Sequence, residues 1–143
     1  MKICVKEIMQ DGLDIEEDIN PEELGLYLEE ANIVSNVKVK AHVEKEKDVV
    51  IVSCDIRGNE ECICSRCLKD FNLSFEKRED FVYTLTGEHT IELNGDIKDT
   101  IMLHQPIRQL CRVDCKGLCP YCGKNLNEGI CDCKRYRSGT CQE

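Results

Sequence analysis

Eight thiols define the chemistry open to this 143-residue chain. Cys119-Pro120-Tyr121-Cys122-Gly123 is a CPxCG turn. Two sulfurs separated by two residues on a tight turn can face one ion. Pro120 stiffens the entry, and Gly123 permits the positive φ that such turns often need. Cys111 and Cys115 precede this knuckle, Cys131 and Cys133 follow it, and a second CxxC pair, Cys64 and Cys67, lies upstream. Thiolates hold zinc at about 2.3 Å in a tetrahedron, and four of them close a structural site. The eight therefore predict one or two zinc ions. Two partitions are open. Cys64 and Cys67 can join Cys119 and Cys122, leaving Cys111, Cys115, Cys131 and Cys133 for a second ion; or the C-terminal cysteines alone make a single site. Cys4, Cys54, Cys62 and Cys141 read as structural or incidental, with Cys54 in an apolar run and so a core residue.

Competing uses of cysteine fit less well. Four cysteines also hold iron–sulfur clusters, but the close C-x2-C-x2-C run is missing. A redox CxxC belongs near a βαβ unit, and no such pattern is present. Disulfides suit secreted chains, whereas Lys2, Lys6 and Glu7 stand where a signal peptide needs an apolar run. No apolar stretch reaches the roughly 18 residues of a membrane span. The expectation is a cytoplasmic protein without a membrane segment. His42, His89 and His104 are single and scattered, and HExxH, Walker A and GxSxG motifs are missing. A closed all-cysteine site leaves no position for water or substrate. The sequence thus predicts no enzyme, no catalytic residue and no small-molecule substrate.

The elements that must position these thiols are mostly strands. Ile3 and Val5 alternate with polar neighbours as in a short strand. Gly12 and the acidic run to Asp18 read as a loop. Asn20-Pro21-Glu22-Glu23 has the cap, first-turn proline and acidic residues of a helix start, with Leu24, Tyr27 and Leu28 as its apolar face and an end near Asn32. Val37, Val39, Ala41 and Val43 alternate against Lys38, Lys40 and His42, as in a half-buried strand. Residues 49–56 form a β-branched run suited to a central strand. Arg57-Gly58-Asn59 reads as a turn before the Cys64/Cys67 knuckle. Phe71, Leu73, Phe75, Phe81, Tyr83 and Leu85 predict one long strand or two shorter ones. Residues 86–95 read as polar loop. Asp96 starts a short helix with Ile97, Ile101 and Met102 inward, and Pro106 cannot continue it. Ile107 and Leu110 are expected to anchor the cysteine-rich end.

The fold class is α+β, mainly β: an antiparallel body with two short helices and a C-terminal zinc-knuckle or ribbon-like segment. The expected division is a body over residues 1–106 carrying the Cys64/Cys67 knuckle, a metal-binding segment over 107–137, and a disordered tail over 138–143.

Charge follows that division. The chain carries net −9, with 12 Lys/Arg against 24 Asp/Glu in residues 1–106 and 7 against 4 beyond them. An acidic body does not seek phosphate, because nucleic-acid affinity needs cations. Around the thiols stand Arg108, Arg112, Lys116, Lys124, Lys134, Arg135 and Arg137, interleaved with Tyr121 and Tyr136. Basic and aromatic groups on a fixed loop suit looped RNA, through phosphate contacts and stacking. The plainer reading is that these cations offset thiolate charge.

The string C-x3-C-K-G-L-C-P-x-C-G-x-N-L-N-x4-C-x-C over residues 111–133, with Leu110 before it and Cys64-Ser65-Arg66-Cys67-Leu68 upstream, resembles the YceD family of large ribosomal RNA subunit accumulation proteins. The likeness extends loosely from about residue 10 to residue 133. It implies a non-enzymatic ribosome-biogenesis factor supporting 23S rRNA accumulation, with rRNA or a ribosomal protein as partner and zinc as a stability device. An acidic protein–protein adaptor with structural zinc is the alternative, and a redox or iron–sulfur protein the third reading.

Overall fold

The structure is a computed structural model and describes residues 1–26, 32–87, 90–103, 105–131 and 133. They form two compact units. The first, the body, comprises Met1–Glu61 and Asn72–Gln105; the second joins Cys62–Phe71 to the described residues from Pro106 onward. Cys64 and Cys67 thus fall in the same unit as the C-terminal cysteines.

The body contains β1 (Lys2–Cys4), β2 (Leu13–Ile19), β3 (Val37–Glu46), β4 (Val49–Ile63), β5 (Asp70–Thr84), β6 (Thr90–Glu92) and α1 (Asn94–Leu103). The last residues of β4 and the first of β5 belong to the second unit. β1 pairs antiparallel with β6, and β2-β3-β4-β5 form a four-stranded sheet. The period of two decides which face is buried. Val37, Val39, Ala41 and Val43 are sealed, while Lys38 and Lys40 between them are exposed. Antiparallel pairing sets Val39 opposite Ile56, Ala41 opposite Cys54 and Val43 opposite Val52, all buried. Each buried valine or isoleucine of this set contributes about 1.5–3 kcal/mol by leaving water. Ile97 and Ile101 of α1 join the same core, and Met102 packs half-buried at its border. Burial pushes the Cys54 thiol up to about 11, as befits a core residue.

Residues 12–18 are not a loop: Leu13, Ile15 and Ile19 alternate with acids and form β2 against β3. The acidic residues hid that period. Arg57-Gly58-Asn59 is not a turn, because β4 runs straight through it. A Cβ on Gly58 would lie 2.6 Å from the Phe75 ring, so the glycine makes room for a cross-strand aromatic instead of a bend. Residues 86–95 contain β6, whose Ile91 pairs with Ile3. Among the described residues there is one α-helix, not two. The Asn20 signal is real, since its side chain accepts from the Glu22 amide at 3.0 Å, but it opens a single 3-10 turn, Pro21–Leu24, ended by Gly25 in left-handed conformation. Tyr27 and Leu28 lie outside the described residues. Ile107 is no anchor, being fully exposed, whereas Leu110 packs against Cys64, Cys67 and Cys115.

Candidate metal centre

The first group of thiols is assembled from two stretches. Cys64 and Cys67 sit in the connection from β4 to β5. Their knuckle is closed by the Cys64 amide donating to the Lys69 carbonyl and the Leu68 amide donating to the Cys64 carbonyl, both at 2.9 Å. Leu68 adopts φ 57°, an unusual conformation for leucine that completes the tight turn. The second stretch is laid against this knuckle by main-chain bonds. The Ser65 amide donates to the Gln109 carbonyl at 2.8 Å, and the Leu118 amide to the Arg66 carbonyl at 3.1 Å. Gly117, at φ 75°, lies so near that a Cβ would stand 3.0 Å from the Arg66 carbonyl oxygen. The Arg66 guanidinium donates to the Cys115 carbonyl at 2.9 Å.

These contacts bring Cys64, Cys67, Cys111 and Cys115 together, with all four sulfurs within 4.8 Å of one another. Cys64 lies 3.7 Å from Cys115, and Cys67 lies 3.6 Å from Cys111. Cys64, Cys67 and Cys115 are buried and Cys111 is half-buried.

The second group is local. In the Cys119–Gly123 turn the Gly123 amide donates to the Cys119 carbonyl at 2.9 Å, and the Cys119 amide to the Lys124 carbonyl at 2.8 Å. Lys124 Nζ reaches the Ile130 carbonyl at 3.0 Å and so holds the approach to Cys131. Cys119, Cys122, Cys131 and Cys133 again place their sulfurs within 4.8 Å of one another, with 3.5 Å between Cys131 and Cys119. Here Cys122 is exposed and only Cys119 is buried.

Both groups fit a single four-coordinate ion. A tetrahedron with metal–sulfur bonds of about 2.3 Å has sulfur–sulfur edges of about 3.8 Å. The separations Cys64–Cys115, Cys67–Cys111 and Cys119–Cys131, 3.5–3.7 Å, lie near that edge, and every pair within each group is within 4.8 Å. They are far from the bonded distance of about 2.05 Å. An iron–sulfur cluster would interpose iron and sulfide between the thiolates and hold them farther apart.

Ionisation points the same way. Backbone amides, that of Cys111 foremost, hold the Cys64 thiol down to about 5. The amides of Cys122 and Tyr121 hold Cys119 down to about 6. Burial beside Cys67 pushes Cys111 up to about 12, and the hydrogen bond to Cys122 pushes Cys133 up to about 12. Four crowded thiols cannot all carry charge unless a cation neutralises them.

The eight candidate ligands thus come together, but in neither partition that the sequence left open. The CxxC of each group pairs with its own second pair: Cys64/Cys67 with Cys111/Cys115, and Cys119/Cys122 with Cys131/Cys133. Asn127 was missed as a participant. Its side-chain amide donates to Cys115 Sγ at 3.3 Å, and its Oδ1 accepts from the Lys116 amide at 2.8 Å and from Arg112 at 2.7 Å. Asn125 Oδ1 accepts from the same Asn127 side chain at 2.8 Å. The signal was the NLN string, which carried the family resemblance without a role.

Of the candidate contact residues, Arg112 and Lys124 have structural partners in Asn127 and Ile130. Arg108, Lys116 and Tyr121 are exposed, Tyr121 to 62%. Lys134, Arg135, Tyr136, Arg137 and the tail at 138–143 lie outside the described residues, as do His89 and His104. His42 is engaged on the body, 2.6 Å from Asp14. Among the described residues, no helix is long and apolar enough to cross a membrane.

The model of the family described as large ribosomal RNA subunit accumulation protein YceD matches residues 72–139, which include six of the eight thiols. The chain is similar to large ribosomal RNA subunit accumulation protein YCED homolog 1, chloroplastic, of Arabidopsis thaliana, at 42% identity over 45 residues, covering 32% of this chain and 14% of that protein. The Zea mays protein of the same name is 30% identical over 95 residues, covering 64% and 31%. An uncharacterized protein of Mycobacterium tuberculosis is 28% identical over 124 residues, covering 75% and 59%. The chain spans less than two thirds of each of these relatives. No solved structure matches it.

Proposed function

We propose that this protein is a non-enzymatic ribosome-biogenesis factor of the YceD family, acting in the cytoplasm to support accumulation of 23S rRNA. The observation that carries this reading is the family match over residues 72–139, which includes the whole second thiol group and half of the first. In this reading Cys64, Cys67, Cys111 and Cys115 hold one zinc ion, and Cys119, Cys122, Cys131 and Cys133 hold another. Zinc at a closed four-thiolate site supplies a rigid cross-link and no open position for chemistry. The chain's own residues then do the work of binding. The knuckles present Arg108, Lys116 and the exposed Tyr121 on a fixed backbone, and Lys134, Arg135, Tyr136 and Arg137 extend the basic run. Such groups fit phosphates and unstacked bases of rRNA, or the surface of a ribosomal protein.

Depletion of the protein tests the function. Mature or precursor 23S rRNA is expected to fall relative to 16S rRNA and to recover on complementation; an unchanged ratio would sink the reading. Elemental analysis tests the metal, with two zinc per chain expected and colourless protein.

Charge supports a second reading, an acidic protein–protein adaptor with structural zinc. The chain is −9 before metal binding, and each ion held by four thiolates lowers this by a further two. Salt-dependent binding to a 23S rRNA fragment, lost on neutralising Lys134, Arg135 and Arg137, favours the first reading; no binding favours the adaptor.

A further inference from the structure

The four-stranded sheet ends on β2, and among the described residues no strand pairs with its outer edge. None of the residues of Leu13–Ile19 makes a described backbone hydrogen bond beyond the ladder to β3. A strand edge is a row of unpaired amides and carbonyls, which another extended segment can complete. The edge is also two-faced. Leu13 and Ile15, half-buried, border the core, while Asp14, Glu16 and Asp18 alternate with them on the opposite, exposed side. Residues 11–23 contain seven acids and no Lys or Arg. Intramolecular pairing leaves much of this charge facing water: Asp14 beside His42 and Glu16 beside Lys40 keep 87% and 62% of their side-chain surface.

We propose that β2 is a docking edge for an extended basic protein segment that joins the sheet as a fifth strand. The segment would alternate Lys or Arg, set beside Asp14, Glu16 and Asp18, with apolar residues set beside Leu13 and Ile15. A second copy of this chain is a poor occupant, because pairing β2 with β2 sets carboxylate against carboxylate. Nucleic acid is repelled by the same charge and cannot continue a backbone ladder. The opposite edge, β5, mixes signs, with Lys77 and Arg78 among its acids, and Arg78 is already spent on Asp55 at 2.7 Å. This inference deepens the proposed function by giving its protein partner a chemistry, and it rests on that reading only for where such segments come from.

The test uses the full chain and two synthetic decapeptides of one sequence, alternating Lys with Val or Ile, the second N-methylated at alternate backbone amides. Charge is the same in both, but the methylated strand cannot complete the ladder. Anisotropy titration is expected to show salt-dependent binding of the first peptide, and binding of the methylated one weaker by about tenfold or more from lost main-chain hydrogen bonds. Amide exchange should slow over residues 13–19. The double variant Asp14→Lys/Asp18→Lys, its fold checked by circular dichroism, should weaken binding by about tenfold. Equal affinity for the two peptides, protection over residues 70–84 instead, or no binding at low salt would overturn the proposal. None of these results changes the expected loss of 23S rRNA on depletion, so the two ideas fail separately.

Discussion

The two thiol groups use the same chemistry on different architecture. Cys64 and Cys67 reach Cys111 and Cys115 across 44 or more residues, so the first group exists only once the β4–β5 hairpin is made. Cys119 and Cys122 meet Cys131 and Cys133 within one short stretch, so the second needs little beyond its own turn. Burial follows the same order. The first group shields three of its four thiols and is buttressed by Asn127 and Arg66; the second leaves Cys122 in solvent. A cross-link that closes a long loop removes more freedom from the unfolded chain than one that closes a short loop. In the proposed two-zinc reading, the first group is therefore the fold-determining one, and the second the exchangeable one.

Substituting ligands breaks this comparison most directly. Cys64→Ser is expected to cost one ion and to unfold the second unit, whereas Cys122→Ser costs one ion and leaves the first group loaded. Native mass spectrometry and amide exchange read both outcomes, and equal behaviour of the two variants would refute the asymmetry. A chelator added to the wild type should remove metal in two phases, the faster from the Cys122 group.

Asn127→Ala sharpens the contrast. Groups that orient ligands typically contribute 10–100-fold in metal affinity, so a loss of about that size is expected at the first group alone. In the body, Val39→Ala should lower stability by about 2 kcal/mol through lost burial while both ions stay bound; denaturant unfolding with a metal count reads it. Glycines offer a finer test. Gly117→Ala and Gly123→Ala both place a side chain at positive φ, but only the first meets a carbonyl, at 3.0 Å. About 1–2 kcal/mol of backbone strain is common to both, and Gly117→Ala should exceed Gly123→Ala in thermal shift and in metal loss.

The smallest effect lies on the exposed face of the sheet. The hydrogen bond to Asp14, and then that to Glu44, raises the His42 pKa above its ordinary 6.5. Its contribution to stability is therefore complete below pH 6.5 and fades as pH rises through the higher folded value. An NMR titration of His42 should show the raised midpoint, and Asp14→Asn should lower it.

The sequence alone singled out the eight thiols that the structure gathers into two groups, because CxxC and CPxCG spacing is a local property of turns. It also determined β3, most of β4 and the inward face of α1, where apolar residues repeat with an unbroken period. It mistook β2 for a loop, since Glu16, Glu17 and Asp18 speak for solvent while only the pairing of Ile15 with Ala41 and of Ile19 with Val37 shows that the flanking residues face a core. It mistook Gly58 for a turn, since the reason for a glycine there is the Phe75 ring on another strand. Only the tertiary structure decided which pairs of thiols come together. That choice depends on main-chain bonds between residues far apart in sequence, Ser65 to Gln109 and Leu118 to Arg66, which deliver Cys111 and Cys115 to the Cys64/Cys67 knuckle and leave Cys119 and Cys122 to their nearer partners.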